Sequence, residues 1–128
     1  MTSHLPPIVL TRTDCEKLSR IADAAAQTFP RTADFLAREV ERAQVVEDVE
    51  TLPDRVKMGS QVTFRDEATG QERMVTLVYP PEADVSEGKI SVLTPVGAAL
   101  IGLSVGQSIE WQTPQSGTRS LTVLAVRP

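Results

Sequence analysis

Two consecutive segments in the first half of the chain carry apolar residues at helical spacing. These residues are Leu18, Ile21, Ala22 and Ala25 in the first segment and Leu36, Val40 and Ala43 in the second. Pro30 lies between the segments, and a proline disturbs the helical turn that precedes it. The pattern predicts helices over about residues 14–29 and 33–43, joined so closely that they form a short antiparallel helical hairpin. Thr13 is the predicted cap of the first helix and Thr32 that of the second.

In the second half of the chain, apolar positions alternate with polar ones. The strand-like segments are residues 61–65, 71–79, 89–92, 108–112 and 120–126. A more continuous apolar run, residues 93–106, interrupts them. Within this run Thr94 can cap and Pro95 can begin a short helix, and Gly102 or Gly106 can adopt the positive φ that ends it. The pattern predicts an antiparallel sheet in the order β-β-β-α-β-β, with one short helix packed on it.

The segment between these two halves is acidic and lacks periodicity. It covers residues 47–54 and contains Pro53, a composition that favours a linker. Before the first helix, residues 8–10 form a short apolar run that is typical of a strand. We therefore expect an α+β protein, with the helical hairpin in residues 1–48 and the sheet with its short helix in residues 49–128.

The composition limits the classes of function. Aromatic residues make up 4% of the 128 residues, and the formal net charge is −4. Base stacking needs several exposed rings, and contact with phosphates needs a basic surface. Direct, sequence-specific binding of nucleic acid is therefore not expected. The first residues do not follow the pattern of a signal peptide, and no run approaches the roughly 18 apolar residues of a membrane helix. We expect a cytoplasmic protein without membrane association.

Groups with catalytic or metal-binding chemistry do not converge in the sequence. The chain has one cysteine, Cys15, and one histidine, His4, which excludes an internal disulfide, a cysteine-based metal cluster and a nucleophile activated by a nearby histidine. The adjacent carboxylates Glu47 and Asp48 fall in the predicted linker, where solvated charge is their ordinary role. The glycine spacing does not match a phosphate-binding loop. We expect no enzyme, no cofactor and no metal site.

Motifs in the second half of the chain resemble those of a known family. They are residues 55–62, residues 76–80, residues 91–106 and residues 108–111. Across most of this half the chain is similar to the Gre-factor family of proteins of the RNA polymerase secondary channel, and more so to its Rnk branch, the regulators of nucleoside diphosphate kinase. The resemblance implies an FKBP-like fold for the C-terminal domain. It also implies that this domain docks on the rim of RNA polymerase while the hairpin points into the channel.

The start of the short helix matches the docking motif of the Gre factors in part. That motif is an acidic residue, a serine and a proline, and the corresponding residues here are Leu93, Thr94 and Pro95. The resemblance implies that these residues and Val96 bind the polymerase. The motif's hydroxyl group and proline are present here as Thr94 and Pro95, whereas its acidic residue is replaced by Leu93. Thr94 and Pro95 can also act simply as helix cap and first helical residue, and the two roles are compatible.

The residues at the tip of the predicted hairpin decide whether the protein can stimulate transcript cleavage. It consists of Pro30, Arg31, Thr32 and Asp34. Chemistry at the polymerase centre requires a Mg²⁺ ion, which is usually held by more than one carboxylate, and this tip offers Asp34 alone. The first predicted helix spans roughly 24 Å, and the hairpins of Gre factors are considerably longer. We expect a regulator that binds RNA polymerase and competes with Gre factors without stimulating transcript cleavage.

Other functions stay open at this stage. A Gre-like cleavage factor, an FKBP-type prolyl isomerase and a direct regulator of a metabolic kinase are the alternatives. An isomerase needs an aromatic pocket for the proline ring, and the second half of the chain offers Phe64, Tyr79 and Trp111. The apolar stripes of so short a hairpin must also be covered, either by the C-terminal domain or by weak self-association.

Overall fold

The computed structural model describes residues 6–47, 54–113 and 117–127, which form an α+β fold of helices packed with two sheets. In chain order the elements are β1 (Val9–Thr11), α1 (Arg12–Ala25), α2 (Pro30–Arg42), β2 (Gln44–Val46), β3 (Gln61–Asp66), β4 (Glu72–Val78), β5 (Lys89–Ser91), α3 (Pro95–Leu100), β6 (Ser108–Thr113) and β7 (Gly117–Arg127). Strands β1 and β2 pair in parallel, and the larger sheet has the order β5-β4-β3-β7-β6. His4, Asp48 and Pro53 lie outside the described residues.

Helices α1 and α2 do not begin after the predicted capping residues. The cap of α1 is Thr11, whose Oγ1 accepts a hydrogen bond from the Asp14 amide at 3.2 Å. Thr13, the predicted cap, lies inside the helix. Helix α2 follows Phe29 without a side-chain cap and has Pro30 as its first residue, since proline lacks the amide that would need a partner there. The prediction of Thr32 as its cap was therefore wrong.

One charged side chain lies on the buried face of α2. The side chain of Glu39 is 1% exposed, and both of its carboxylate oxygens accept hydrogen bonds of 2.8 Å from the guanidinium of Arg42. Arg42 also donates to the carbonyl oxygen of Pro6. Because the pair is bidentate, it partly offsets the loss of hydration around the buried charge. It also ties the end of α2 to the N-terminal segment.

The larger sheet is not antiparallel throughout, and in this respect the prediction was wrong. Strand β5 pairs in parallel with β4, whereas the other neighbours in this sheet are antiparallel. Parallel neighbours require a crossover rather than a hairpin. Two short 3₁₀ turns, Pro80–Glu82 and Val85–Glu87, form this crossover and return the chain to the start of β5. Alternation of apolar residues identifies a strand but does not give its direction.

Helix α3 contacts both helix α2 and strand β6 of the larger sheet, and the chain turns sharply after it. Ala98, Ala99 and Leu100 are fully buried. The helix ends at Leu100, two residues before Gly102, the first of the two glycines predicted to end it. Gly102 and Gly106 have φ values of +80° and +90°, which confirms that both take the left-handed conformation that favours glycine.

The N-terminal segment joins the helices to the sheet. The amide of Val9 donates to the Gly102 carbonyl at 3.2 Å, and the side-chain amide of Gln107 donates to the Pro7 carbonyl at 3.1 Å. On its other side, the Ile8 carbonyl accepts from the Gln44 amide at 2.9 Å. We call residues 6–11 the N-terminal clasp, because they bond to both parts of the described chain.

The apolar stripes of α1 and α2 face a core that they share with the sheet. The buried residues of this core include Leu18 and Leu36 from the helices, and Leu77, Leu100 and Leu121 from the C-terminal half. The C-terminal half thus covers the stripes, while self-association and the domain boundary at residue 48 stay predictions. Every helix in the described ranges is too short or too polar to cross a lipid bilayer.

Candidate docking site

The connection from β5 to α3 presents the predicted docking residues at the surface. Pro95 is exposed, and Leu93, Thr94 and Val96 are half-buried. We call these four residues the β5–α3 corner. Val96 and Leu93 also pack against the core, so that one side of the corner is structural and the other is open to a partner.

Thr94 holds the corner through its hydroxyl group. Its Oγ1 donates to the Ser91 carbonyl oxygen at 2.7 Å and accepts from the Gly97 amide at 3.0 Å. The Thr94 amide donates to the same Ser91 carbonyl at 3.1 Å. Thr94 is therefore the cap of α3 and Pro95 its first residue, as predicted.

Two further residues shape this corner and were missed by sequence reasoning. The Oγ of Ser91 accepts a hydrogen bond from the Leu93 amide at 3.0 Å. At Gly97, an added Cβ would lie 2.2 Å from the Ser91 carbonyl oxygen, closer than real contacts allow. The local signals were a serine at the end of a strand and a glycine in the first turn of a helix, where residues of higher helix propensity are usual.

An open apolar groove of about 460 Å³ adjoins the corner at Leu93. Its walls come from both halves of the chain: Leu93, Tyr79, Pro80 and Pro81 on one side, and Ile21, Ala24, Ala25, Thr28 and Phe29 on the other. The Phe29 side chain, at the connection between α1 and α2, is 55% exposed. Sequence reasoning did not find this groove, because its walls are far apart along the chain.

Asp14 ties the groove wall to α1. The Tyr79 hydroxyl donates to Asp14 Oδ1 at 3.4 Å, and the Met58 amide donates to Asp14 Oδ2 at 3.3 Å. The ammonium group of Lys17 lies 5.7 Å from the centre of the Tyr79 ring. Burial and the nearby Asp14 carboxylate raise the pKa of Tyr79 from 10.0 to about 12.

The pKa of Tyr79 predicts a pH dependence of stability. Because folding raises this pKa, the folded state holds the phenolic proton more tightly than the unfolded chain does. The resulting stabilisation is complete below pH 10.0 and is lost as the pH rises to about 12. In urea unfolding, the wild-type protein should therefore lose stability relative to Tyr79→Phe across this window and keep a constant difference below it. A constant difference up to pH 12 would contradict the assignment.

The predicted tip residues lie together at the start of α2, directly after the groove residue Phe29. Pro30 and Arg31 are exposed in the first turn with the half-buried Thr32, and Asp34 follows in the next turn. The Asp34 carboxylate forms an exposed ion pair with Arg38 at 3.0 Å. Within the described ranges, no group of three or more metal-ligating side chains is suited to hold an ion.

Comparison with known families gives two matches, one to each half of the chain. The family model "Transcription elongation factor, GreA/GreB, C-term" matches residues 50–128, and the model "Rnk N-terminus" matches residues 6–46. The first match covers more than half of the chain.

Individual relatives support both matches. The chain is 40% identical over 119 residues to the Regulator of nucleoside diphosphate kinase of Escherichia coli K12, covering 93% of this chain and 88% of that protein. It is 41% identical over 88 residues to Transcription elongation factor GreA of Brucella canis, covering 69% of this chain and 55% of that protein. A solved structure of a prokaryotic transcription elongation factor GreA/GreB from Nitrosomonas europaea superposes with a TM-score of 0.73 at 40% identity, covering 96% of this chain and 99% of that one.

Proposed function

Because this chain belongs to the family of Rnk regulators with a C-terminal domain of the GreA/GreB type, we propose that it binds RNA polymerase at the rim of the secondary channel. The family itself consists of regulators related to transcription elongation factors, and its members named above are not named as enzymes. The proposal places the protein with the polymerase in the cytoplasm. It assigns docking to residues 49–128 and the approach to the channel to residues 1–48.

The observation that carries this proposal is the geometry of the β5–α3 corner. Pro95 is exposed beside the half-buried Leu93, and the Thr94 hydroxyl bonds at 2.7 and 3.0 Å hold the backbone beneath them. A surface that is already ordered loses little conformational entropy when a partner binds. Leu93 and Pro95 offer apolar contact, so the complementary surface of the polymerase is expected to be apolar at this point.

The helical pair supports regulation without cleavage. Helix α1 has 14 residues, which corresponds to about 21 Å. Asp34 is the acidic residue among the four predicted tip residues, and its carboxylate is paired with Arg38. One paired carboxylate is a poor site for Mg²⁺, which needs oxygen ligands in near-octahedral geometry. We therefore propose that the protein occupies the channel entrance and competes with Gre factors without stimulating cleavage.

A binding assay with purified polymerase tests the docking site. We expect Pro95→Ala and Leu93→Ala each to weaken binding at least about fivefold, because contacts at the centre of an interface carry most of its energy. Val85→Ala is the matched control, since Val85 is an apolar residue with 84% exposure outside the corner. The melting temperature of Pro95→Ala should stay close to that of the wild-type protein. Unchanged affinity in both corner variants would overturn the proposed site.

Backtracked transcription complexes test the second part of the proposal. The purified protein should lower the cleavage that a Gre factor stimulates, in proportion to its concentration, and should stimulate none when it is added alone. Strong cleavage by the protein alone would instead support a Gre-like cleavage factor. If Pro95→Ala still competes with the Gre factor as the wild-type protein does, the β5–α3 corner is not the site through which the two proteins compete.

Two other functions have weaker support. We infer an FKBP-like arrangement for the C-terminal half, but the Phe64 and Trp111 rings are buried in its core, which leaves Tyr79 as the ring of this half on the groove wall. A prolyl isomerase needs an aromatic-lined pocket, and we expect no activity in a proline-isomerisation assay. The second function is direct regulation of nucleoside diphosphate kinase. A pull-down from lysate, scored for the kinase and for polymerase subunits, distinguishes it from polymerase binding.

A further inference from the structure

We infer that Ser91 is a positioning residue for the β5–α3 corner, an inference that rests on the proposed function and deepens it. Ser91 is the last residue of β5. Its Oγ accepts from the Leu93 amide at 3.0 Å, and its carbonyl oxygen accepts from both the amide and the hydroxyl of Thr94, at 3.1 and 2.7 Å. A single residue thus holds the first two residues of the corner.

Ser91 acts where the sheet ends. The Val92 amide still donates to the Val78 carbonyl of β4, at 3.0 Å. Beyond Val92 the chain leaves the sheet, and backbone amides there need other partners. The Ser91 hydroxyl supplies that partner for Leu93. Without it, the Leu93 amide would bond to water, and the backbone that carries the Leu93 side chain would sample several conformations.

Gly97 completes the same arrangement from the side of the helix. The first turn of α3 lies so close to β5 that a Cβ on Gly97 would approach the Ser91 carbonyl oxygen to 2.2 Å. The carbonyl that binds Thr94 therefore also sets the distance between α3 and the strand. Through this packing Ser91 fixes Leu93 beside the groove and Pro95 at the surface in one mutual orientation.

This role predicts a loss of binding that exceeds any loss of stability. Alanine at position 91 keeps the backbone pairing of Ser91 with Val78 and removes the hydroxyl alone. The corner must then be ordered again each time a partner binds, and ordering a mobile segment reduces affinity. The Ser91 hydroxyl itself need not touch the polymerase.

The experiment compares Ser91→Ala, Ser91→Thr and the matched control Ser108→Ala. Ser108 lies in β6 at the opposite edge of the sheet, and its hydroxyl bonds to that of Thr122 at 2.6 Å. We expect Ser91→Ala to bind polymerase about fivefold more weakly, Ser91→Thr to restore affinity, and Ser108→Ala to bind like the wild-type protein. Both alanine variants should lower the melting temperature only slightly, by about 3 °C or less.

Amide hydrogen exchange gives a test that does not depend on the polymerase. In Ser91→Ala, the Leu93 amide should exchange about tenfold faster, while the amides of Leu77 and Val78 in β4 keep their protection. Unchanged exchange at Leu93 would overturn the inference, and so would a loss of protection throughout β4, β5 and α3, which is the mark of a purely structural role.

The binding results separate this inference from the proposed function. If Ser91→Ala binds like the wild-type protein while Pro95→Ala does not, the docking site stands and the positioning role of Ser91 is wrong. If the wild-type protein does not bind polymerase, or Pro95→Ala and Leu93→Ala bind normally, the proposed docking function is wrong, and the positioning role for docking is wrong with it.

Discussion

Replacing Arg42 with methionine is expected to lower the free energy of unfolding by about 3–5 kcal/mol. The side chain of Arg42 is 23% exposed, but that of its partner Glu39 is 1% exposed. Without the guanidinium, the Glu39 carboxylate would remain in the core with neither a counter-charge nor its two hydrogen bonds of 2.8 Å. The Pro6 carbonyl would also lose its bond to Arg42. Urea unfolding followed by circular dichroism measures the change.

The double variant Glu39→Leu with Arg42→Met distinguishes a buried charge from lost packing. Since an apolar pair can replace a buried ion pair at little cost, most of the lost stability should return in the double variant. Arg38→Met is the control on the same helix, because the Arg38 and Asp34 side chains are 76% and 63% exposed and such pairs contribute about 0–1 kcal/mol. If Arg38→Met and Arg42→Met lower the free energy of unfolding by the same amount, burial of Glu39 is not the cause of the loss in Arg42→Met.

Replacing Gly102 with alanine is expected to cost about 2–4 kcal/mol, the second-largest effect. Gly102 has a φ of +80°, and an added Cβ would lie 2.8 Å from the Cβ of Ile8 and 3.3 Å from the Val9 carbonyl oxygen. The substitution therefore combines backbone strain with a clash against the N-terminal clasp. Because the clasp contacts both halves of the chain, local relief of the clash would weaken the packing between them.

Gly106→Ala provides a closely matched comparison. Gly106 has a φ of +90°, but an added Cβ would find no atom within 4 Å. Gly106→Ala should therefore introduce backbone strain alone and lose about 1–2 kcal/mol of stability. The difference in the free energy of unfolding between Gly102→Ala and Gly106→Ala, from thermal or urea unfolding, measures the cost of the clash with the clasp. Equal losses in both would show that the clasp can move aside at no cost.

Features with a local chemical cause could be predicted from the sequence. Thr94 caps α3, Pro95 begins it, and Gly102 takes a positive φ, because each of these depends on the residue itself and its near neighbours along the chain. Apolar periodicity likewise located both long helices and the strands of the larger sheet. Their ends were less predictable, since Thr11 and Thr13 are both capable caps and packing decides between them.

Features that depend on distant contacts could not be predicted. The parallel pairing of β5 with β4 depends on the path of the crossover, and Glu39 is buried because its face of α2 packs into the core. In the candidate site, Thr94 and Pro95 were found through their local chemistry and the family motif. Ser91 was missed, because its importance comes from the departure of the chain from the sheet, which apolar periodicity does not reveal.

The N-terminal clasp also has a consequence for synthesis of the protein. Gln107 bonds to Pro7 across a sequence separation of 100 residues, so the N-terminal clasp meets this partner only after Gln107 has left the ribosome. Until then, the apolar stripes that contain Leu18 and Leu36 lack the cover that the C-terminal half supplies. Contacts between such distant residues slow folding and prolong the exposure of apolar surface. Emergence of the C-terminal half, rather than of the helices alone, is thus the event that allows the native core to close.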